Sequence, residues 1–173
     1  MQLTPVTEKF ILHWGEMGSR WGINRTVAQI HALLYISPGP LPADEIAETL
    51  SVARSNVSTS IRELQSWGII KTVHVLGDRR DHFESMTDVW EMFRVIMDER
   101  KKREFDPTLT VLRQCVDEAG KSNKTDPTAA NRLEDLLDFV ETMTTWYSHV
   151  RKMPLPAMVK FARMGKKIPK LFS

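Results

Sequence analysis

Cysteine is almost missing from this sequence: Cys115 is the only one in 173 residues. An internal disulfide is therefore excluded, and a reducing compartment is expected. No stretch approaches the roughly 18 consecutive apolar residues that a membrane-spanning helix requires. The first 18 residues lack the charged, apolar and small-residue regions of a secretory signal, so the expected location is the cytoplasm. His13, His31, His74, His82 and His149 form no His-Glu-x-x-His pair and have no cysteine partners at zinc spacing. The eight glycines are scattered rather than gathered into a phosphate-binding loop. These gaps predict a chain that is not an enzyme and uses no metal or cofactor.

An excess of charge of one sign is also missing, with 24 Lys+Arg against 22 Asp+Glu and a net charge of +2. That mean conceals a strong asymmetry. Residues 151–173 hold Arg151, Lys152, Lys160, Arg163, Lys166, Lys167 and Lys170 with no acid, a local +7, so the other 150 residues sum to −5. Within those, residues 53–80 carry Arg54, Arg62, Lys71, Arg79 and Arg80 against Glu63 and Asp78, a local +3. Contact with phosphates needs local cations rather than a high net charge, so nucleic acid stays open as a partner. At 42% hydrophobic and 27% charged residues the composition is that of a folded globular chain.

What is present reads mainly as helix. Thr4-Pro5 is an N-cap with proline at the first helical position, and Phe10, Trp14, Met17 and Trp21 follow at helical spacing, predicting a helix over about 5–20. Val27, Ile30, Leu33 and Leu34 predict a second over 25–36, ended by Ser37-Pro38-Gly39-Pro40. Two short helices follow, with Ile46, Ala47 and Leu50 on one face of the first and Val57, Ile61 and Leu64 on one face of the second. Trp67-Gly68 closes the second. The β-branched run 69–75, the charged turn 77–81 and residues 82–85 read as a hairpin. Helix, helix, turn, helix, hairpin is the order of a winged helix. Beyond it, Val89, Met92, Phe93, Ile96 and Met97 predict a helix over 88–104. Asp106-Pro107-Thr108 and Asp126-Pro127-Thr128 look like two further helix starts, opening helices over 107–119 and 127–149. On the second of these Leu133, Leu136, Leu137, Val140, Met143 and Tyr147 share one side, and the tail from Pro154 predicts a basic amphipathic helix. The fold class is mainly α with a small β-hairpin wing. The divisions expected are an N-terminal helix over 1–24, a winged helix-turn-helix over 25–87, a helical region over 88–150 and a basic tail over 151–173.

Removing the apolar face of the helix over 54–67 leaves Arg54, Ser55, Asn56, Ser58, Thr59 and Arg62 outward. Short donors and acceptors with two arginines suit base edges and phosphates in the major groove. At the hairpin tip over 77–82, Arg79 and Arg80 suit the focused negative potential of the minor groove, and Asp78 is placed to orient an arginine through a paired hydrogen bond. An ordinary solvated helix face and a surface ion pair are the plainer readings of the same residues.

The set Ala43-Asp44-Glu45-Ile46-Ala47, Arg54-Ser55-Asn56-Val57-Ser58, Arg62-Glu63-Leu64, Trp67-Gly68-Ile69-Ile70, Gly77-Asp78-Arg79-Arg80-Asp81 and Trp90-Glu91-Met92-Phe93 resembles the MarR family. Within it, the branch of glycine-betaine-synthesis repressors is the nearest. The family's wing pattern of Asp, any residue, Arg and a later Leu-Thr pair reads here Asp78, Arg80 and Met86-Thr87, with Met in place of Leu. The run Arg100-Lys101-Lys102-Arg103-Glu104-Phe105-Asp106-Pro107 resembles the basic stretch of that branch. The likeness covers about residues 22–110. It implies a homodimeric transcription regulator, a repressor, that binds double-stranded DNA at a palindromic operator, with terminal helices making the dimer. The rival is a winged helix used for protein interaction without sequence-specific DNA binding.

The resemblance also implies a small effector, choline in the betaine-linked case, hence a cationic or osmolyte-related ligand. Trp21, Trp90, Phe93 and Trp146 are the candidate contacts, because aromatic faces attract quaternary ammonium ions; ordinary helix packing explains the same residues. Three uses suit the basic tail: DNA outside the operator, an anionic membrane surface, or a strap on a partner subunit. The strap is preferred, and stable membrane association is not expected.

Overall fold

Helix signals at the N-terminus act as the sequence predicts. The Thr4 side chain accepts a hydrogen bond from the backbone N–H of Thr7, and the Thr4 backbone N–H donates to Thr7 Oγ1, a reciprocal cap that opens α1 (Pro5–Arg20). The computed structural model describes residues 2–122 and 125–164; Lys166, Lys167 and Lys170 of the basic tail lie outside the described residues. The chain forms two units, Met1–Val95 and Ile96–Ser173.

In the first unit α1 packs along α2 (Arg25–Ile36). The face of α1 that is buried is Ile11, Gly15 and Gly18, while Phe10, Trp14 and Met17 lie half-buried beside it and Trp21 is exposed. A Cβ on Gly18 would stand 2.5 Å from the Ala28 Cβ, and one on Gly15 would stand 2.7 Å from Gln29 Cγ. The absence of side chains is what lets the two helix backbones approach.

Next come β1 (Leu41–Pro42), α3 (Ala43–Leu50), α4 (Arg54–Ser66), β2 (Ile70–Val73) and β3 (His82–Ser85). Ser51, in the left-handed region at φ 53, makes the turn between α3 and α4. Gly68, at φ +75, turns the chain from α4 into β2. The predicted strand over 69–75 is shorter than expected because only Ile70–Val73 pairs with β3. β1, which the sequence pattern does not signal, joins the other edge of β3 to give the order β1-β3-β2, all antiparallel. Ile30, Leu33, Ile46, Val57, Leu64 and Ile69 are completely buried and form the centre of this unit.

One expected boundary is wrong. Helix α5 (Val89–Arg100) passes through a π turn (Lys101–Phe105) directly into α6 (Asp106–Lys121). Asp106 has helical backbone angles and starts nothing; its N–H bonds to the Lys101 carbonyl, five residues back. Proline at 107 offers no N–H, and its ring would clash with the carbonyl four residues earlier in a regular helix. One wider turn removes the conflict without ending the helix. The Asp106 carboxylate pairs with Lys101 at 2.5 Å, and Thr108 Oγ1 donates to the Glu104 carbonyl at 2.6 Å. Asp126, in contrast, accepts from the N–H groups of Thr128 and Ala129 and caps α7 (Pro127–Lys152) as expected.

In the second unit α7 packs on α6 through Val140, Thr144 and the Arg113–Glu141 ion pair at 2.9 Å. Asp98 accepts from the Tyr147 hydroxyl at 2.7 Å and from Arg151 Nε at 2.6 Å. The basic helix α8 (Leu155–Met164) follows, with Met158 buried. Cys115 is a half-buried free thiol on α6. Among the described residues no helix is long and apolar enough to cross a membrane.

Candidate nucleic-acid interface

Helix α4 turns Val57, Ser60, Ile61 and Leu64 inward, so Arg54, Ser55, Asn56, Ser58, Thr59 and Arg62 are all exposed. The first turn of α4 follows Ala53, whose side chain makes no capping bond. Unsatisfied N–H groups at a helix start carry partial positive charge and attract anions, and Arg54 stands beside them. At its other end α4 is tied to the sheet, with Gln65 Nε2 donating to Thr72 Oγ1 at 2.9 Å.

The loop between β2 and β3 is organised by one arginine. Asp78 accepts from the Arg80 backbone N–H at 3.0 Å, from Arg80 Nε at 3.0 Å and from Nη2 at 2.5 Å. The remaining terminal nitrogen, Nη1, donates to Asp44 Oδ2 at 2.8 Å. Asp44 lies in the first turn of α3, so Arg80 clasps the hairpin to the helix-turn-helix. The Arg80 guanidinium holds the Asp78 and Asp44 carboxyls below the usual carboxylate range, and they in turn raise the arginine. Buried His82 approaches the same Asp78 carboxylate at 3.4 Å. Lys71 and Glu84 close the ladder with a 2.7 Å cross-strand pair.

Arg79 and Arg80 are thus different groups. Arg80 spends three N–H donors on carboxylates, whereas Arg79 is exposed with no carboxylate within pairing distance among the described residues. Sequence reasoning found Asp78 but missed Asp44, which is distant in sequence and looks there like an ordinary acid at a helix start. It also missed Leu76, fully exposed near the tip.

Of the four aromatic candidates, Trp21, Trp90 and Phe93 belong to the first unit and Trp146 to the second. Trp146 joins Met97, Lys101, Phe105, Met143, Thr144 and Tyr147 around a cavity of about 90 Å³ in the second unit. Trp21, Trp90 and Phe93 do not line it; Trp21 and Phe93 are exposed and Trp90 is half-exposed.

Comparison with known proteins agrees with this geometry. Residues 21–81 match the MarR family, a span that runs from the start of α2 to the wing. The chain is 21% identical over 136 residues to the HTH-type transcriptional repressor GbsR of Bacillus subtilis (strain 168), covering 77% of this chain and 75% of that protein. A solved crystal structure of a transcriptional regulator aligns with a TM-score of 0.65 at 20% identity, covering 92% of this chain and 99% of that one. Residues 21–81 are therefore similar to the MarR family, and the chain shares the fold of a solved transcriptional regulator.

Proposed function

We propose that this protein is a sequence-specific DNA-binding transcription regulator, a repressor that binds a palindromic operator as a homodimer. Helix α4 enters the major groove and the wing over 77–82 enters the minor groove. The observation that carries the reading is the exposed row Arg54, Ser55, Asn56, Ser58, Thr59 and Arg62 on a helix braced from behind and open at its N-terminus. Arg54 and the N-terminal amides take phosphate. Asn56, Ser58, Thr59 and Arg62 take base edges. In the wing, Arg79 supplies the free cation and Leu76 an apolar contact. Arg80 fixes the wing through Asp78 and Asp44 and keeps two N–H donors for the DNA. The similarity to a named repressor supports the sign of regulation.

Fluorescence anisotropy with duplexes from upstream of the gene tests this. One duplex should bind far more tightly than the others at the same salt concentration. Equal, purely salt-sensitive binding to all of them would favour the protein-interaction reading.

Release by a small cationic effector is a second reading, resting on the aromatic residues Trp21, Trp90, Phe93 and Trp146. Only the last lines the cavity of about 90 Å³, room for roughly three waters. A quaternary ammonium effector should raise the melting temperature increasingly with its concentration; no change with choline-like cations at millimolar concentration would remove this reading.

A further inference from the structure

The histidine at the foot of the wing faces an acceptor on each side. His82 is the first residue of β3 and is 6% exposed. Its Nδ1 lies 3.0 Å from the Arg80 carbonyl oxygen, and its Nε2 lies 3.4 Å from Asp78 Oδ2. Arg80 holds the Asp78 carboxyl ionised, so both oxygens can only accept. A neutral imidazole carries one N–H and one lone pair. Either tautomer therefore turns a lone pair towards an oxygen, and only the doubly protonated ring donates to both.

Charge points the same way. Arg80 bonds to Asp78 and to Asp44, so the clasp of two carboxylates and one guanidinium has a net charge of −1. A proton on His82 brings it to zero. Glu45 and Glu48 of α3 line the same cleft as Asp44 and Arg80 and add acid there. Within the sheet, the residues paired with His82 are Pro42 of β1 and Val73 of β2, neither of which titrates. Lys71 and Glu84 neutralise each other further along the ladder, and His74 and Asp81 form a separate, well-exposed pair at 3.9 Å. Helix α2 also packs on β3, but Arg25 lies beside Gly15 of α1 and His31 beside Trp14 and Tyr35.

We propose that His82 is a positioning residue of the wing and makes DNA binding depend on pH. Protonated, it ties the Asp78 carboxylate to β3, which steadies Arg80 and the loop over 77–82. It also cancels the negative charge that the clasp would otherwise bring to the DNA phosphates. Loss of the proton takes that donor from Asp78 and leaves the wing with an excess of acid, so affinity falls as the pH rises. This rests on the DNA-binding reading above and adds a regulation to it. Histidine suits the task because its charge changes between about pH 5 and 8. Coupling between two ligands, here a proton and a duplex, is reciprocal and typically amounts to about 5- to 150-fold in affinity.

Fluorescence anisotropy tests the proposal, with the full chain and the tightest-binding upstream duplex, from about pH 5.5 to about pH 8 at constant ionic strength. Over that range the wild type should lose about fivefold or more of its affinity. His82→Asn should show no such step and should bind as the wild type does at the alkaline end, because the amide replaces Nδ1 at the Arg80 carbonyl and cannot reach Asp78 at the same time. A step of equal size in His82→Asn would assign it to another histidine, and an equal loss at every pH would make His82 merely structural; either overturns the proposal. NMR of the ring nitrogens in the isotope-labelled wild type, without DNA, needs no variant: both should carry protons at about pH 5.5 and only one at about pH 8. A ring in one state throughout would overturn the proposal too. Duplex binding by a wild type that is flat across the range would overturn only the part assigned to His82, whereas no duplex binding at any pH would overturn the DNA-binding reading itself.

Discussion

Acid should weaken this fold through one histidine. His31 lies on the face of α2 that packs under α1, with ring centroids 6.3 Å from Trp14 and 6.4 Å from Tyr35. It is 5% exposed, and its Nε2 has no hydrogen-bond partner. Burial without a counter-charge lowers its pKa from 6.5 to about 4. The fold therefore holds the neutral form, while the unfolded chain takes up a proton as soon as the pH drops through 6.5. Stability is unaffected above 6.5, falls as the pH drops from 6.5 towards 4, and levels off below. Each tenfold difference in proton affinity between the folded and unfolded chain is worth about 1.4 kcal/mol, so the whole loss is roughly 3 kcal/mol, most of it present by about pH 4.5. The Asp44–Asp78–Arg80 clasp adds little slope in this window: its carboxyls titrate lower than usual in the fold, so their contribution is lost only in stronger acid. Urea unfolding at a series of pH values, with wild type and His31→Gln compared at each, isolates the histidine because glutamine stays neutral throughout. The midpoint difference between the two proteins should change by roughly 1 M or more between about pH 7.5 and 4.5, taking a slope of about 1–3 kcal/mol/M. A difference that stays flat over this range would refute the reasoning, as would an NMR titration placing His31 near 6.5 in the folded protein.

Other consequences follow from the same structure. Arg80→Ala should weaken operator binding roughly 5- to 150-fold, measured by anisotropy at fixed salt. Asp44→Ala should also weaken it, although it removes a negative charge; tighter binding would mean that the clasp is dispensable. Gly18→Ala should lower stability by up to about 2 kcal/mol, because overpacking of about 1–3 kcal/mol is offset by a helix-propensity gain of only about 1 kcal/mol. Adding Ala28→Gly should restore the midpoint, since it removes the atom that Gly18 abuts; no restoration would place the cost elsewhere. Ala53→Asp should stabilise α4 by about 1 kcal/mol as a cap yet weaken DNA binding by repelling phosphate, a trade-off visible by comparing thermal melts with anisotropy.

Much of the fold was legible where a local signal has one physical meaning. Thr4-Pro5 and Asp126-Pro127 each supply an acceptor for free N–H groups and a residue that needs no donor, and both start helices. Asp106-Pro107 has the same letters and starts none. The rising helix α5 reaches it already formed, and one π turn accommodates the ring more cheaply than a break. In α1 the buried face was misread because hydrophobicity counts side chains, and Gly15 and Gly18 are buried for having none. The recognition row on α4 could be read by subtraction, since its core face was plain. The clasp could be read only in half: Asp78 is two residues from Arg80, whereas Asp44 is 36 residues away and is brought there by the sheet. The side of α7 that looked single in sequence is two adjacent faces, and only packing distinguishes the covered one from the bare one.

The central claim is that the exposed side chains of α4 read base sequence. The direct measurement is the ratio of affinities for the operator duplex and for a shuffled duplex of equal length and composition, at physiological salt. The wild type should show a ratio of about 10³ or more, and Asn56→Ala with Arg62→Ala should bring it down by an order of magnitude or more while binding to the shuffled duplex changes far less. A wild-type ratio near one, or a ratio that the α4 substitutions leave untouched, would contradict the claim.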